Sequence, residues 1–247
     1  MPEKIIAGCE PIIYSGNEIG CLLIHGFTSC PFEMRLLAKN LQKKEYTVRV
    51  PLISGHGVSP YILKKTKWYD WFESAKKELF LLRKQCKKIF VIGLSMGGTL
   101  ALHLAAHYEV DGVAVLAPGL YLKNKFARLS DIIYPILKFS EKNSTPDIKA
   151  NVKTISYNKI PVKSISELLK LFRHVKNDLP DIYAPALIIY SKFDHVVDSK
   201  SSIIIYKKIS SREKRILELN QSYHILTLDV EKEKVFREIE IFIKQLS

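Results

Sequence analysis

The chain has 247 residues, 47% of them apolar and 26% charged, a composition typical of a single soluble globular domain with a substantial core. It contains no run of about 20 uncharged apolar residues, so stable insertion in a membrane is not expected. The net charge of +13 comes with Lys residues scattered among Glu and Asp, and with no nucleic-acid-binding motif. The composition therefore argues against nucleic acid as a partner and leaves open a mild attraction to acidic membrane surfaces.

Short β-rich runs alternate along the chain with longer amphipathic runs. The candidate strands are Ile19–Ile24, Thr47–Pro51, Ile89–Ile92, Gly112–Leu116, Ala186–Ser191 and Arg215–Leu219. The candidate helices are Phe32–Lys44, Trp71–Lys84, Gly97–His107, Ser199–Ile209 and Lys232–Gln245. Several strand candidates are almost continuously apolar, as expected for strands covered on both faces of a parallel sheet. This alternation predicts an α/β fold with a doubly wound, mostly parallel sheet.

One region interrupts this alternation, between Pro118 and the strand that begins at Ala186. It contains two helical patches, Leu129–Phe139 and Ser164–Val175, separated by a polar stretch at Ser140–Lys149. Connections of this length are rare in compact domains unless they cover or bind something. We therefore predict a small helical cap at residues 121–179, inserted in a core made of residues 1–120 and 180–247. Two ordinary crossover helices with a long linker are the alternative.

The four cysteines are expected to be reduced. Cys9, Cys21, Cys30 and Cys86 form no Cys-x-x-Cys pair, and no neighbouring His gives them a metal-ligand spacing. The N-terminal sequence also lacks the apolar core of a secretory signal. A cytoplasmic protein without a metal is the resulting prediction.

The strongest local motif is Gly-Leu-Ser-Met-Gly-Gly at residues 93–98. It follows the apolar run Ile89–Ile92 and precedes a helix-like segment, which is the context of a Gly-x-Ser-x-Gly nucleophile elbow. In such an elbow the flanking glycines allow the strand and the helix to approach closely. Ser95 is therefore the candidate nucleophile, placed at the C-terminal edge of the sheet.

A serine hydroxyl requires a positioned base, and in this arrangement the acid and then the base follow the nucleophile in the chain. His224 lies just beyond the last candidate strand and is the candidate base. The loop after Ala186–Ser191 offers two acids, Asp194 and Asp198, of which Asp194 is favoured because it falls where the chain leaves the strand. Its carboxylate would orient the imidazole and stabilise the imidazolium.

A developing oxyanion requires hydrogen-bond donors. The backbone amide of Met96, directly after the nucleophile, is one candidate. The other is the amide of Phe27, in the loop after the early strand, where Gly26 permits a tight turn. His25 is expected to support this loop by hydrogen bonding rather than to act as a base.

Together these segments resemble the bacterial carboxylesterase and monoacylglycerol lipase family of the α/β-hydrolase superfamily. The resemblance is carried by His25-Gly26-Phe27-Thr28, Ser54-Gly55-His56-Gly57, residues 93–98, Asp194 with Val196-Val197, and Ser222-Tyr223-His224. It implies a cofactor-free monomer or weak homodimer that hydrolyses short- to medium-chain esters through an acyl-serine intermediate. It also implies a triad of Ser95, Asp194 and His224 with oxyanion amides from Phe27 and Met96.

Two departures from the family pattern add expectations about the substrate. Ser29-Cys30 stands where relatives often have glycine and a small residue, and Tyr223 replaces a commoner glycine. Phe27, Cys30 and Tyr223 are therefore the predicted substrate contacts. Monoacylglycerols, thioesters and peptide-like amides are alternative substrates, and a non-catalytic binding protein of the same fold is the alternative of another class.

Overall fold

The computed structural model describes residues 4–141 and 146–247, and its strands and helices follow one another in α/β order. The strands are β1 (Ile12–Tyr14), β2 (Ile19–Ile24), β3 (Thr47–Val50), β4 (Lys88–Leu94), β5 (Gly112–Leu116), β6 (Phe139–Glu141), β7 (Lys159–Pro161), β8 (Ala186–Ser191) and β9 (Lys214–Leu219). The α-helices are α1 (Arg35–Gln42), α2 (Pro60–Leu63), α3 (Trp68–Arg83), α4 (Met96–His107), α5 (Ser130–Ile133), α6 (Val162–Asp178), α7 (Lys200–Lys208) and α8 (Lys232–Leu246). Short 3-10 helices lie at Pro31–Met34, Lys125–Leu129 and Leu179–Asp181.

Seven strands form one sheet in the order β1-β3-β2-β4-β5-β8-β9. All neighbours are parallel except β1, which pairs antiparallel with β3. The strand order reverses between β2 and β4, because the chain builds outward to β3 before it returns to the other side of β2. Ligand sites in open α/β sheets lie outside the carboxyl ends of the strands at such a reversal.

The central strands are buried because each contributes side chains to both faces of the sheet. In β4, Val91 belongs to the hydrophobic cluster that includes α3, α4, α6 and α7, whereas Phe90 and Ile92 face the cluster that includes α1 and α8. This alternation follows from the two-residue period of a strand. A parallel sheet with helices on both faces confirms the predicted α/β-hydrolase fold.

The six predicted strands are confirmed with small shifts of their ends, and the sequence missed three short ones. The edge strand β1 has three residues, and β6 and β7 form a separate antiparallel pair within the long connection. Strands this short give too few residues for an alternating pattern to be recognised.

The long connection between β5 and β8 is only partly helical. The predicted helix Leu129–Phe139 is wrong, since α5 ends at Ile133 and the chain enters β6 at Phe139. Pro135 accounts for the break, because it has no N–H to donate to the carbonyl of the preceding turn. The predicted helix Ser164–Val175 is confirmed within α6. Part of the predicted polar stretch, residues 142–145, lies outside the described residues.

The connection also shares the core of the sheet. Leu168, Leu171 and Phe172 of α6 belong to the same hydrophobic cluster as α4, and Leu122 forms an isolated antiparallel bridge with Val197. The division into a core and a cap at residues 121–179 stays a prediction. No helix in the part of the chain that the structure describes is both long and apolar enough to cross a bilayer.

Candidate active site

Ser95 lies in the tight turn between β4 and α4. Its backbone has φ +56° and ψ −117°, in a region that residues with a side chain rarely adopt. Its N–H donates to the carbonyl oxygen of Leu116 at 2.8 Å, which fixes the turn against β5. A Cβ added at Gly97 would lie 2.1 Å from the carbonyl oxygen of Ile24, so this turn approaches β2 too closely for any other residue. Such strain is held by the surrounding structure and is common at functional sites.

His224 connects the Ser95 hydroxyl to the Asp194 carboxylate. Its Nε2 lies 2.9 Å from Oγ of Ser95, and its Nδ1 lies 2.6 Å from Oδ2 of Asp194. With the Nδ1–H tautomer, the imidazole donates to the carboxylate and accepts from the hydroxyl, an assignment inferred from the hydrogen-bond network. The structure thus brings together three side chains that lie far apart in the sequence.

The Asp194 carboxylate is held from both sides. Its Oδ1 accepts the backbone N–H groups of Val196 and Val197, each at 2.8 Å. Burial acts to raise the pKa of Asp194, but His224 and these two amides outweigh it and hold the pKa below its ordinary value. Asp198, the other acid left open by the sequence, forms an ion pair with Lys200 at 2.8 Å instead.

The electrostatic surroundings of His224 favour a positive charge. Burial alone would lower its pKa, yet the charge and hydrogen bond of Asp194, with smaller contributions from Asp147 and Glu33, raise the pKa above its ordinary value. A base with a raised pKa accepts a proton readily, and the ionised Asp194 stabilises the imidazolium that results.

The loop after β2 is held by the buried side chain of His25. Nδ1 of His25 lies 2.9 Å from the carbonyl oxygen of Gly26, and the Ile53 N–H lies 3.1 Å from its Nε2. Burial, together with the nearby His56, lowers the pKa of His25 to about 3, so the ring is neutral. His25 supports the loop in the way the sequence predicted.

The two amides predicted for an oxyanion flank Ser95 in the fold. Met96 is the first residue of α4, where a helix leaves its N–H groups without intrahelical acceptors. Phe27 lies in the turn after β2, the strand next to β4. Among the described residues, none accepts a hydrogen bond from the Phe27 N–H. Both groups are therefore donors available at the carboxyl edge of the sheet.

Carboxylates that the sequence analysis did not select organise the same loops. Glu33 accepts the N–H of Gly26 at 3.0 Å, while Asp229 accepts the N–H of Tyr223 at 2.7 Å. Glu231 accepts the N–H and the hydroxyl of Ser222, both at 2.9 Å. The one sequence signal for them is that each follows its loop by a few residues.

The long connection also reaches the base. The carbonyl oxygen of Asp147 accepts the N–H of His224 at 3.1 Å, and its side chain binds the N–H and the ring of His195. Asp229 extends the link, because it also accepts the N–H groups of Lys149 and Ala150. The loop that carries His224 is therefore fastened to residues 147–150.

The three predicted substrate contacts lie in different settings. Phe27 is half-buried, with its ring 5.6 Å from that of Trp71. Tyr223 is half-buried beside the His195 ring, at a centroid distance of 4.7 Å. Cys30 has no exposed surface and is bonded to Cys9. It can shape the site through the loop but offers no free thiol.

The disulfide differs from the expectation of four reduced cysteines. The segment that contains Cys9 crosses the loop after β2, and this crossing brings two residues 21 apart in the sequence together. Cys-x-x-Cys spacing is not a test for such a pair, because the tertiary path of the segment decides it. Cys21 and Cys86 are free.

A groove of about 410 Å³ lies within the long connection between β5 and β8. Leu122, Leu169 and Phe172 line it, together with charged residues. These are the basic Arg128, Arg173 and Lys176 and the acidic Asp131. Its first residues, Leu120 to Leu122, follow β5, whose carboxyl end lies at the same edge of the sheet as Ser95. Phe126, Ile132 and Ile136, apolar residues of the same connection, are 77%, 73% and 89% exposed.

The chain is similar to known proteins over most of its length. The family described as "Serine aminopeptidase, S33" matches residues 18–231. The chain is 37% identical over 251 residues to a thermostable monoacylglycerol lipase of Bacillus sp. (strain H-257), covering 97% of this chain and 96% of that protein. It is 26% identical to a carboxylesterase of Bacillus subtilis (strain 168), covering 96% and 97%.

Solved structures give the same result. A structure reported under "LipS and LipT, two metagenome-derived lipolytic enzymes" superimposes with a TM-score of 0.94 at 33% identity, covering 98% of this chain and 100% of that one. The monoacylglycerol lipase of Paleococcus ferrophilus has a TM-score of 0.81 at 16% identity, covering 96% and 98%, and supports the fold alone. The chain belongs to the S33 serine aminopeptidase family and, with these relatives, to the esterases and lipases of the α/β-hydrolase superfamily.

Proposed function

We propose that the protein is a serine carboxylesterase that hydrolyses short- to medium-chain esters through an acyl-serine intermediate. The observation that carries the proposal is the continuous chain of hydrogen bonds from Ser95 through His224 to Asp194. Ser95 is half-buried, so part of the residue remains open to solvent. Nucleophile, base and acid in this order are the three groups that acyl transfer requires.

The reaction proceeds in two half-reactions. Nε2 of His224 takes the proton of Ser95 as Oγ bonds to the acyl carbon, and the amides of Phe27 and Met96 donate to the oxyanion. The intermediate collapses, the ester C–O bond breaks, and the alcohol leaves with the proton from His224. Water then attacks the acyl carbon and gives its proton to His224. That proton returns to Ser95 as the acid leaves, while Asp194 stays ionised throughout.

The groove within the long connection is the proposed site of the acyl chain. Its apolar side, formed by Leu122, Leu169 and Phe172, suits a hydrocarbon, and its volume lies within the range of small-molecule sites. A Leu169→Trp variant would fill part of it. We expect esters of medium acids to lose kcat/KM while acetate esters keep theirs, and an equal effect on both would place the acyl chain elsewhere.

A monoacylglycerol is the second candidate substrate, because the relative with 37% identity over nearly the whole chain is a monoacylglycerol lipase. The same triad would serve, with glycerol as the leaving alcohol. A panel of monoacylglycerols, aryl esters, acyl thioesters and aminoacyl amides at equal concentration separates the candidates by kcat/KM. Preferred cleavage of the amides would favour the peptidase activity that the family's description names.

Covalent labelling tests the proposed mechanism directly. A fluorophosphonate probe should label the wild-type protein. Ser95→Ala should abolish the labelling and lower kcat for the ester by about 10⁵-fold. Ser210→Ala is the matched control. The exposed Ser210 hydroxyl donates a hydrogen bond to the Pro180 carbonyl and takes no part in the proposed triad. Wild-type protein that is neither labelled nor active would favour a binding protein of the same fold.

Ester substrates are small molecules, and no cofactor has a place in the proposed mechanism. The monomer or weak homodimer and the cytoplasmic location stay predictions from the sequence.

A further inference from the structure

Away from Ser95, the C-terminal ends of α4 and α6 meet. His103 and His107 lie one turn apart on α4, so their side chains share one face of the helix. Asp178 is the last residue of α6, which packs against α4. The helices therefore bring two imidazoles and one carboxylate together, although Asp178 follows His107 by more than 70 residues.

The three groups are close enough to share one ion. One potential ligand atom from each of His103, His107 and Asp178 lies within 4.8 Å of the other two. Ligand atoms about 2.0–2.2 Å from a tetrahedral ion are roughly 3.4 Å apart. Side-chain movements of about an ångström would therefore bring the three ligand atoms to this spacing. His107 is exposed and Asp178 is partly exposed, which leaves them free to make this adjustment.

The hydrogen bonds around the cluster already orient it for metal binding. Nδ1 of His107 lies 3.0 Å from the carbonyl oxygen of His103. Because a carbonyl oxygen can only accept a hydrogen bond, Nδ1 must be the donor. This bond places the proton of His107 on Nδ1 and leaves the Nε2 lone pair free. Metal-binding histidines characteristically donate their other N–H to a carbonyl or a carboxylate in this way.

Nδ1 of His103 lies 2.6 Å from Oδ2 of Asp178. That separation is a hydrogen bond and is too short for two ligands of one ion, so a metal would replace the shared proton. Metal binding at histidine and carboxylate groups generally releases protons for this reason.

The local field favours a cation. His107 and Asp178 are the last residues of their helices, and the C-terminal end of a helix carries partial negative charge from its unpaired carbonyls. Phe72 and Trp68 cover the inner side, with ring centroids 4.5 Å and 5.7 Å from that of His103. The cluster is thus walled on one side and open to solvent on the other.

We propose that His103, His107 and Asp178 form a binding site for a divalent transition-metal ion of the Zn²⁺ class. Two imidazoles and one carboxylate suit Zn²⁺, Co²⁺ and Ni²⁺ rather than Ca²⁺ or Mg²⁺, which prefer sets made entirely of oxygen. Water fills the remaining coordination position on the exposed side. No metal was expected from the sequence, because His-x-x-x-His alone supplies two ligands and only the fold supplies Asp178.

The ion links two helices and does not reach the reacting atoms. His103 lies eight residues after Ser95 on α4, or roughly 12 Å along the helix axis. Binding therefore ties the helix that begins at the proposed nucleophile to the end of the long connection. A bound ion stabilises the folded state in proportion to its concentration relative to Kd.

A titration with Zn²⁺ tests the site. The full-length, untagged protein is first treated with a chelator, which is then removed by dialysis. We expect one equivalent of Zn²⁺ to bind in calorimetry and, at about 100 times Kd, to raise Tm by roughly 5–10 °C. His107→Gln and Asp178→Asn should each weaken binding by about tenfold or more and abolish most of the Tm shift. Both changes lie on exposed or partly exposed side chains, so the fold is retained.

His174→Gln is the matched control. This exposed histidine lies one turn before Asp178, but its ring packs on Trp68, 4.7 Å between centroids, and it is not one of the three grouped residues. Its Zn²⁺ affinity should equal that of the wild type, and an equal loss would overturn the three-ligand assignment.

Co²⁺ provides a second readout, since a nitrogen and oxygen site lacks the intense near-ultraviolet band of a thiolate ligand. No binding to the wild type at about 100 μM Zn²⁺, binding unchanged in both ligand variants, or a thiolate band from Cys86 would each overturn the proposal.

Discussion

The imidazole of His224 lies among three carboxylates that act on its protonation together. Asp194 binds Nδ1 directly, while Asp147 and Glu33 contribute through their charges. Asp147 comes from the long connection and Glu33 from the segment after β2. Distant parts of the chain therefore raise the pKa of the same imidazole.

The pH dependence of the esterase reaction should report this adjustment. Because neutral His224 is the proposed base and its pKa is raised, kcat/KM should fall on acidification with a midpoint above about 6.5. Asp147→Asn removes one favourable charge, which lowers the pKa of His224 and moves the midpoint to lower pH. The measurement is kcat/KM for an aryl acetate between pH 4 and 9.

Asp198→Asn is the control for that charge change. Its carboxylate is paired with Lys200 and does not act on His224, so the midpoint should equal that of the wild type. A midpoint that does not move in Asp147→Asn would contradict the contribution of the long connection.

At the scale of residues, the sequence could suggest Ser95, Asp194 and His224 because chain order and strand ends are visible in it. The structure brings these three together. Glu33 and Asp147 could not be found in this way, since each acts on His224, which lies far from both of them in the sequence. No local motif marks either of them as a neighbour of the imidazole.

The turn between β4 and α4 depends on the close approach of its backbone to β2. In Gly97→Ala the added Cβ would meet the Ile24 carbonyl oxygen at 2.1 Å, and neither backbone can retreat without breaking the sheet. We expect a loss of at least about 3 kcal/mol in the free energy of unfolding and a fall of about 10 °C in Tm.

Gly98→Ala, one residue later in the same helix, is the matched control. Its Cβ would meet nothing closer than 3.1 Å, and alanine favours helix, so Tm should change by only a few degrees. Equal losses of Tm in the two variants would contradict the proposed role of the close approach. Thermal unfolding followed by circular dichroism distinguishes them.

The loop that carries His224 depends on a buried carboxylate. Asp229 has no exposed surface and accepts backbone N–H groups from Tyr223, Lys149 and Ala150. Asp229→Asn replaces one acceptor oxygen by an NH₂ group, which leaves at least one buried N–H unpaired at a cost of about 1–3 kcal/mol. We expect a lower midpoint in urea and a lower kcat.

Asp181→Asn, at an exposed position, should leave both the urea midpoint and kcat unchanged. If Asp229→Asn behaved in the same way, the carboxylate would not be holding the loop.

At the scale of elements, hydrophobic patterning predicted the buried strands well because they are apolar on both faces. It failed for β1, whose three residues alternate in exposure at the sheet edge, and for the helix that Pro135 interrupts. In both places a local feature, shortness or a proline, outweighs the periodicity of the window.

At the scale of the molecule, the Cys9–Cys30 disulfide ties the N-terminal segment to the loop after β2. In the chain-entropy account, closing a loop of this length stabilises the fold by roughly 3 kcal/mol. Cys9→Ser, or reduction of the wild type, should therefore lower Tm by roughly 6–12 °C. Differential scanning calorimetry with and without dithiothreitol measures the effect.

Cys86→Ser, which removes a free and half-buried thiol, should leave the dithiothreitol-dependent change in Tm intact. A wild-type Tm that is insensitive to reduction would contradict the stabilising role of the disulfide. The pairing of Cys9 with Cys30 could not be predicted from the sequence, because it depends on two segments that cross in the fold. The cluster of His103, His107 and Asp178 likewise depends on the packing of α4 on α6.

The hydrogen bond between Ser95 and His224 joins residues 129 positions apart. As the ribosome makes the chain, the elbow emerges long before the imidazole that would activate it. The nascent protein carries an unactivated hydroxyl until β8 and β9 have joined the sheet and the loop beyond them has docked. Esterase activity would thus appear only after the C-terminal part of the chain has folded. A prematurely terminated product that lacks β9 would also lack His224, and it would be inactive.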